Sequence, residues 1–382
     1  MGHIIYLTTS ILPADFDPIA HQVSVNPAGQ NFHAKMIRLL CKNDSVTVIS
    51  LLSTALPMIE EKSFTHEGIA YRYIRGSKNR YLRALFTPNK IAQLIKKLGL
   101  PHDAMIVFDS LNVSLSKAAI LARKKSFVKA AYAIITDAPE NITGVNSTYI
   151  NQIHNVVSKV DGCIALTEGL ARHFGFDKKR SYICPVIPGE RIKAEPKALA
   201  RPYYYYGGAL YEKDGALDLL KGHEYLRDQY DLVIAGHGPS SKEIEEAAKK
   251  DPTIHFLGQI SPTEHIGYIQ GASFLVNPRH YNKSIDELAV PSKVIEYLCY
   301  GKGPIVSVVA TPLKELFPKQ INWMSLDTTW VDYAKNLELS KLVQNKTNLF
   351  DALSDDVLGG AIHDFLSGRS TKVTKDFIHD FI

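Results

Sequence analysis

VNPRHYNKSIDELAVPSKVIEYLCYGK, residues 276–302, is the stretch that decides the fold. It starts at the end of an apolar run, ASFLV (272–276), which reads as a buried strand. A polar loop follows, carrying Arg279, Tyr281, Lys283, Asp286 and Glu287. Pro291-Ser292 then reads as a helix entry, and the residues from Lys293 through Glu296 to Leu298 as the helix. A strand feeding a charged loop and then a helix N-terminus suits an anionic ligand. The free N–H groups and the dipole of the first helical turn favour phosphate there.

Outward from this stretch the same alternation repeats. RPYYYYGGAL (201–210) is a strand with a double-glycine turn, and Asp214 to Leu220 begins a helix. YDLVIAG (230–236) is a strand ending in Gly236-His-Gly238-Pro239, and SSKEIEEAAKK is a helix that Ser240 or Ser241 can cap. TIHFLG (253–258), ASFLVNP (272–278) and PIVSVVA (304–310) are strands, with PTEHIGYIQG (262–271) a helix. The first half reads alike. Its strands are HIIYLTTS (3–10), SVTVISLL (45–52), IAYRYI (69–74), AMIVFD (104–109), VKAAYAIITD (128–137), GCIALT (162–167) and SYICPVIP (181–188). A helix from Phe32 puts Phe32, Met36, Leu39 and Leu40 on one face, and others fall near 88–98 and 113–125. Such alternation predicts an α/β chain of parallel sheets covered on both faces. With 382 residues, about two domains are expected. They are drawn as 1–187 and 188–369, with a Pro-, Lys- and Ala-rich linker over 188–202. A C-terminal helix, 370–382, is expected to join the first domain.

Composition narrows the function classes. Cys41, Cys163, Cys184 and Cys299 are widely spaced without a CxxC, which suggests reduced thiols rather than disulfides or zinc. No apolar run approaches the ~20 residues of a membrane span, and the start lacks a signal layout, so a cytoplasmic location is expected. Residues 1–186 hold 22 Lys and Arg against 13 Asp and Glu, while the whole chain is only +5. That basic half suits either an anionic membrane surface or plain solvent exposure. No nucleic-acid pattern accompanies it. Asp15-Phe16-Asp17 spells a DxD metal motif, but in the loop after the first strand. His33, His102 and His237 show no metal-ligand spacing, and no metal or other cofactor is expected.

The second half resembles glycosyltransferase family 4, retaining enzymes of the GT-B architecture, over residues 203–310. The likeness is an ordered series: YYYYGGALYEKDGALDLL, LVIAGHGP, IHFLGQISPTEHIGYIQGASFLVNP and PSKVIEYLCYGKGPIV. PAGQNFHAKMIRLL and ITDAPE are similar to the acceptor-side loop and the cleft region. The resemblance implies two doubly wound Rossmann-like domains facing a central cleft. The NPR…PSK…EYL variant is similar to members that build bacterial surface polysaccharides.

The resemblance also implies roles. Arg279, Lys213, Lys283 and Lys293 are candidates to stabilise a departing diphosphate. Lys213 and Lys283 read equally as exposed loop charge. Glu296 would accept hydrogen bonds from the nucleotide ribose, and Ser292 would cap its helix or touch phosphate. Gly207, Gly208 and Gly238 allow close backbone approach, and Phe256-Leu257-Gly258 would hold the base. Family members often place a second glutamate eight positions before the first. Here that position is Leu288, and Glu287 lies one residue off. Asp137 ends a strand and would orient or deprotonate the acceptor, or serve as a cap. Gly29, Gln30 and Asn31 would face the diphosphate or acceptor.

The expected function is transfer of a hexose, with retention, from a nucleotide sugar, read as a UDP-sugar. The acceptor is a saccharide or lipid-linked glycan, met at the inner face of the membrane. A catalytically weak partner subunit or glycan-binding module of the same fold is the alternative. A sugar-nucleotide epimerase is a further one, which the NPR…PSK…EYL series argues against.

Overall fold

This computed structural model describes residues 2–22, 27–142, 144–347, 349–369 and 374–378. The chain divides into two compact units. One holds Met1–Ile187 with Leu353–Asp376, and the other holds Pro188–Ala352 with the last residues.

The first unit is built on an eight-stranded sheet in the order β3-β4-β2-β1-β5-β6-β7-β8. Its strands are β1 (His3–Thr8), β2 (Ser45–Leu52), β3 (Ser63–His66), β4 (Ile69–Arg75), β5 (Met105–Asp109), β6 (Ala130–Ile135), β7 (Gly162–Ala165) and β8 (Ser181–Ile183). All neighbours pair in parallel except β3 and β4, which form an antiparallel edge hairpin. β1 is central, and Ile4 to Leu7 are fully buried, so its apolar run has no polar face.

The second unit has a six-stranded parallel sheet in the order β11-β10-β9-β12-β13-β14. Its strands are β9 (Tyr203–Gly207), β10 (Asp231–Ala235), β11 (Ile254–Phe256), β12 (Phe274–Asn277), β13 (Ile305–Ser307) and β14 (Asn322–Trp323). Four consecutive tyrosines of central β9 are buried, alternating between the sheet's two faces. A buried phenol needs a partner, and each has one. Tyr203 donates to Lys197 O at 2.8 Å and Tyr206 to Ala209 O at 2.7 Å. Tyr204 meets His223 Nδ1 at 3.1 Å and Tyr205 meets His265 Nδ1 at 2.7 Å.

Three expectations change. The helix read from Phe32 begins at Pro27 and runs Pro27–Leu40, so Gly29, Gln30 and Asn31 lie within its first turns rather than in a loop. Proline suits a helix start, where its missing N–H costs nothing. The short strands β3 and β14 were not expected from the sequence. Residues 353–369, assigned to the second domain, group with the first unit. There the helix Asp355–Leu366 buries Leu358, Ile362, Phe365 and Leu366. Arg38 Nε lies 2.6 Å from Asp355 Oδ2, and His363 Nδ1 lies 2.7 Å from Asp44 Oδ2. Of the expected 370–382 helix, Thr374–Ile378 is a short helix and the rest lies outside the described residues. No helix among the described residues is long and apolar enough to cross a membrane.

Candidate functional site

The site of the second unit forms where β9, β10 and β12 end. Each of these strands runs into a glycine-bearing or proline-bearing turn, and the turns after β9, β10 and the neighbouring β11 are tied backbone to backbone. Gly208 N–H donates to Ala235 O at 3.0 Å, Leu210 N–H to His237 O at 3.1 Å, and Gly236 N–H to Gly258 O at 2.8 Å. Side chains are excluded from this layer. A Cβ on Gly236 would stand 1.8 Å from Gly208 O, and one on Gly238 would stand 2.5 Å from Leu210 O. Gly215 has φ +75, and a Cβ there would meet Pro278 O at 2.3 Å. That contact brings the turn carrying Lys213 and Asp214 against the loop that starts the 276–302 stretch.

Two cations of that stretch converge on this layer. Lys293 lies in the first turn of the helix Ser292–Tyr300, whose N-cap position is Pro291 with no side-chain cap. The N–H groups of the first turn are therefore not covered by a capping side chain. Lys293 Nζ donates to Tyr206 Oη at 2.8 Å and stands 4.3 Å from the centre of that ring. Gly208 leaves the room, since a Cβ there would be 3.1 Å from Lys293 Nζ. Burial pushes the Lys293 ammonium down to about 8, with Asp214 opposing and Arg279 adding to the shift. Arg279 is paired with the fully buried Asp286, whose other oxygen accepts from Asn282 N–H at 2.6 Å. Arg279 Nε is buried and has no hydrogen-bond partner among the described residues. This is a lysine, an arginine and a helix N-terminus within one electrostatic neighbourhood, the arrangement that holds phosphate oxygens.

Glu296 follows one turn after Ser292. Its Oε2 lies 3.2 Å from His265 Nε2, and His265 Nδ1 meets Tyr205 Oη at 2.7 Å. His265, in the helix Pro262–Gly271, was not singled out from the sequence. Gly207 makes space for it, because a Cβ there would stand 2.4 Å from His265 Cε1. Nothing in the spacing of His265 and Glu296 along the chain points to the pair. Leu257 N–H bonds Ile234 O at 2.9 Å just past β11, and its side chain is half-buried.

Other expected residues lie apart from this cluster. Lys283 is 78% exposed and lies 4.0 Å from Glu287 Oε1 on the short helix Lys283–Asp286. Among the described residues no contact joins either of them to Arg279 or Lys293. Lys213 is exposed, with its Nζ 5.6 Å from the Tyr211 ring centre. Ser292 is exposed and is the first helical residue rather than the cap.

In the first unit, Gln30 is buried and its Oε1 accepts from Ile11 N–H at 3.0 Å, which pins the loop after β1. Asn31 is exposed, and Gly29 has open space around its Cα. Asp137 Oδ1 accepts from Ala138 N–H at 2.8 Å and from Asn141 Nδ2 at 3.1 Å, which ties it to the turn Pro139–Asn141 without capping it. A buried pair accompanies them, with a half-buried acid beside it: His33 Nδ1 is 2.7 Å from Tyr6 Oη, and its Nε2 is 3.7 Å from Asp109 Oδ2 at the end of β5. Asp15 of the DxD triplet is engaged by Tyr73 Oη at 2.8 Å and Lys62 Nζ at 3.0 Å.

Residues 190–346 match the family model of the glycosyl transferases group 1. That match lies within the second unit and spans less than half of the chain. No curated protein matches the chain at a significant level. Among solved structures, Anabaena HepE in complex with UDP and glucose is similar at 13% identity and TM-score 0.63, covering 96% of this chain and 100% of that one. The alpha,alpha-trehalose-phosphate synthase (UDP-forming) of Burkholderia xenovorans, in complex with glucose-6-phosphate, is similar at 11% identity and TM-score 0.64, with coverage of 96% and 100%. The E. coli trehalose-6-phosphate protein bound with UDP-2-fluoro glucose is similar at 10% identity and TM-score 0.60, with coverage of 99% and 97%. At these identities the likeness is one of fold, and that fold is GT-B: two Rossmann-like α/β units.

Proposed function

We propose that the chain is a glycosyltransferase that moves a hexose from a UDP-sugar to a saccharide or lipid-linked acceptor, with retention, in the assembly of a polysaccharide. The second unit binds the donor and the first binds the acceptor. The observation that carries this reading is the Lys293–Arg279 pair at the uncapped Ser292 helix end. A departing UDP leaves with negative charge developing on its outer phosphate. Preorganised cations and helix-end amides stabilise that charge without a metal ion. Glu296, oriented by His265, is the ribose contact. Asp137 Oδ1 is engaged by Ala138 N–H and Asn141 Nδ2, which favours the departing phosphate itself as the base that takes the acceptor proton. Exposed Leu85 and Phe86, 62% and 58% accessible on the basic helix Arg80–Lys97, support an approach to an anionic membrane.

The test is incubation of the purified chain with UDP-sugars and a lipid-linked acceptor extract, with and without vesicles containing anionic lipid. The expected result is free UDP and a product whose anomeric configuration matches the donor, formed faster on the vesicles. If UDP shows no saturable binding by calorimetry, the reading fails. The exposed Lys283–Glu287 pair and the leucine at position 288 favour one second reading, a partner subunit of low activity. It predicts UDP binding without transfer to any acceptor.

His265 supplies a finer check. His265→Ala frees the Glu296 carboxylate, so UDP affinity is expected to fall about tenfold, roughly the value of one hydrogen bond to a charged group. Adenosine diphosphate and UDP would lose equally, since the ribose is common to both. An unchanged affinity in calorimetry would remove His265 from the site.

A further inference from the structure

The first unit carries a side-chain cluster that neither the donor nor the acceptor reading uses. Among the described residues, Glu140, His154 and His173 form the one group of at least three metal-capable side chains whose ligand atoms all lie within 4.8 Å of one another. They come from three separate elements. Glu140 is on the turn Pro139–Asn141 after β6, His154 is in the helix Ser147–Val157, and His173 ends the helix Glu168–His173 after β7. His154 Nε2 is 2.7 Å from Glu140 Oε1, and His173 Nε2 is 3.1 Å from Glu140 Oε2. In a tetrahedral zinc site with bonds of about 2 Å, neighbouring ligand atoms stand roughly 3.3 Å apart. Each imidazole nitrogen already lies within about 0.6 Å of that edge length, each against its own oxygen of the Glu140 carboxylate.

The rings are held in place as well as close. The Phe174 ring stacks on His154 at 4.7 Å and meets His173 edge-on at 5.3 Å. Each imidazole is about one third exposed, at 33% and 32%, and Glu140 is 40% exposed. That leaves an open side for a water as the fourth ligand. As surface ion pairs these contacts would contribute little, on the order of 0–1 kcal/mol each. That is little to hold three elements around one carboxylate.

We propose that Glu140, His154 and His173 bind one divalent transition metal ion of the zinc class, with water completing the shell. Two imidazole nitrogens and one carboxylate oxygen are a common zinc donor set, and imidazole excludes magnesium and calcium as the preferred ions. One carboxylate with two neutral imidazoles leaves a single negative charge opposite a dication. To ligate through Nε2, each ring keeps its proton on Nδ1, so the metal competes with protonation. The bound ion fastens the turn that follows Asp137 to both helices. This inference is independent of the donor site, whose cations all lie on the second unit.

The experiment titrates zinc chloride into the full-length, tag-free chain by calorimetry, with cobalt(II) as a spectroscopic substitute. One equivalent is expected to bind, to raise the unfolding midpoint and, as cobalt, to give the intense visible bands of a tetrahedral site. Glu140→Gln and His173→Gln are each expected to weaken binding at least ~10-fold, since loss of even an outer partner costs that much. Both positions are partly exposed, and circular dichroism of each metal-free variant checks its fold. If one variant does not fold, the other decides. Absence of a saturable single site, or zinc affinity unchanged in a folded variant, overturns the proposal.

Discussion

Lys293→Met is expected to weaken UDP binding about 100-fold, near the upper range for a hydrogen bond to a charged group at a buried site. The methionine keeps the length and packing of the stem but supplies no charge and no donor to the diphosphate. The wild-type protein should also show a pH dependence that the variant lacks. In the free chain, burial holds the Lys293 ammonium at about 8, below its ordinary 10.5. A bound diphosphate favours the protonated form and raises that value. Above pH 8 the free protein has therefore lost a proton that the complex retains, and binding must take one up. By linkage, affinity then falls as pH rises through about 8, by up to roughly tenfold per unit until the bound-state value is reached. Below 8 both states are protonated and this dependence vanishes. Calorimetry of UDP binding between pH 7 and 9, in buffers of differing ionisation heat, reads both the slope and the proton uptake. A wild-type profile that is flat, or a variant profile that is equally steep, would remove Lys293 from the phosphate grip.

Gly236→Ala is expected to be the most damaging single-methyl change in the second unit. Gly236 has φ +141, a backbone conformation that side-chain-bearing residues rarely adopt. Its Cβ would stand 1.8 Å from Gly208 O, in the layer where three turns hydrogen-bond to one another. Backbone strain of order 1–3 kcal/mol then adds to a clash that cannot be relieved by rotating a side chain. The sum is expected to exceed about 4 kcal/mol, a large share of a domain's stability. Gly258→Ala is the matched control, because Gly258 has φ +63 but nothing within 4 Å of its Cβ. It should cost only ~1–2 kcal/mol. Chemical denaturation of the two variants side by side checks the order. Equal stabilities would mean that the turn layer is softer than its geometry implies.

Much of the fold was legible because parallel strands buried on both faces are continuous apolar runs. Each expected strand between 3 and 310 has its counterpart; most are shortened where the chain leaves the sheet, while β2 keeps Ser45–Leu52 and β4 gains Arg75. What escaped were elements too short to carry a period. β3 is SFTH, exposed along most of its length, and β14 is two residues. The helix start at Pro27 was missed because the apolar periodicity begins later, at Phe32, while its first turns are set by local geometry. Residues 353–369 were misassigned because an amphipathic helix shows that it has a partner face but not whose.

The candidate site divides along the same line. Arg279, Ser292, Lys293 and Glu296 lie in one contiguous stretch, and strand-loop-helix order alone suffices to place them at an anion-binding end. Their partners lie far along the chain: Tyr206 is 87 residues from Lys293, and His265 is 31 from Glu296. From the sequence, Lys283 read equally as exposed loop charge, while Arg279 stood first among the phosphate candidates of the 279–287 loop. Packing separated them: Arg279 is drawn inward by the buried Asp286, while Lys283 and Glu287 face solvent.

By itself, then, the sequence determined the α/β class, the order of the strands along the chain and the strand–loop–helix stretch that gathers Arg279, Lys293 and Glu296. These follow from periodicity and from the chemistry of neighbours along the chain. Only the tertiary structure decided which cations are buried and paired, and that His265 orients Glu296. It also decided that the glycines of the turn layer keep three backbones in contact, and that Glu140 meets two histidines 14 and 33 residues away. Such facts depend on which distant groups the folded backbone brings within a few ångströms, and no local pattern of residues encodes that distance.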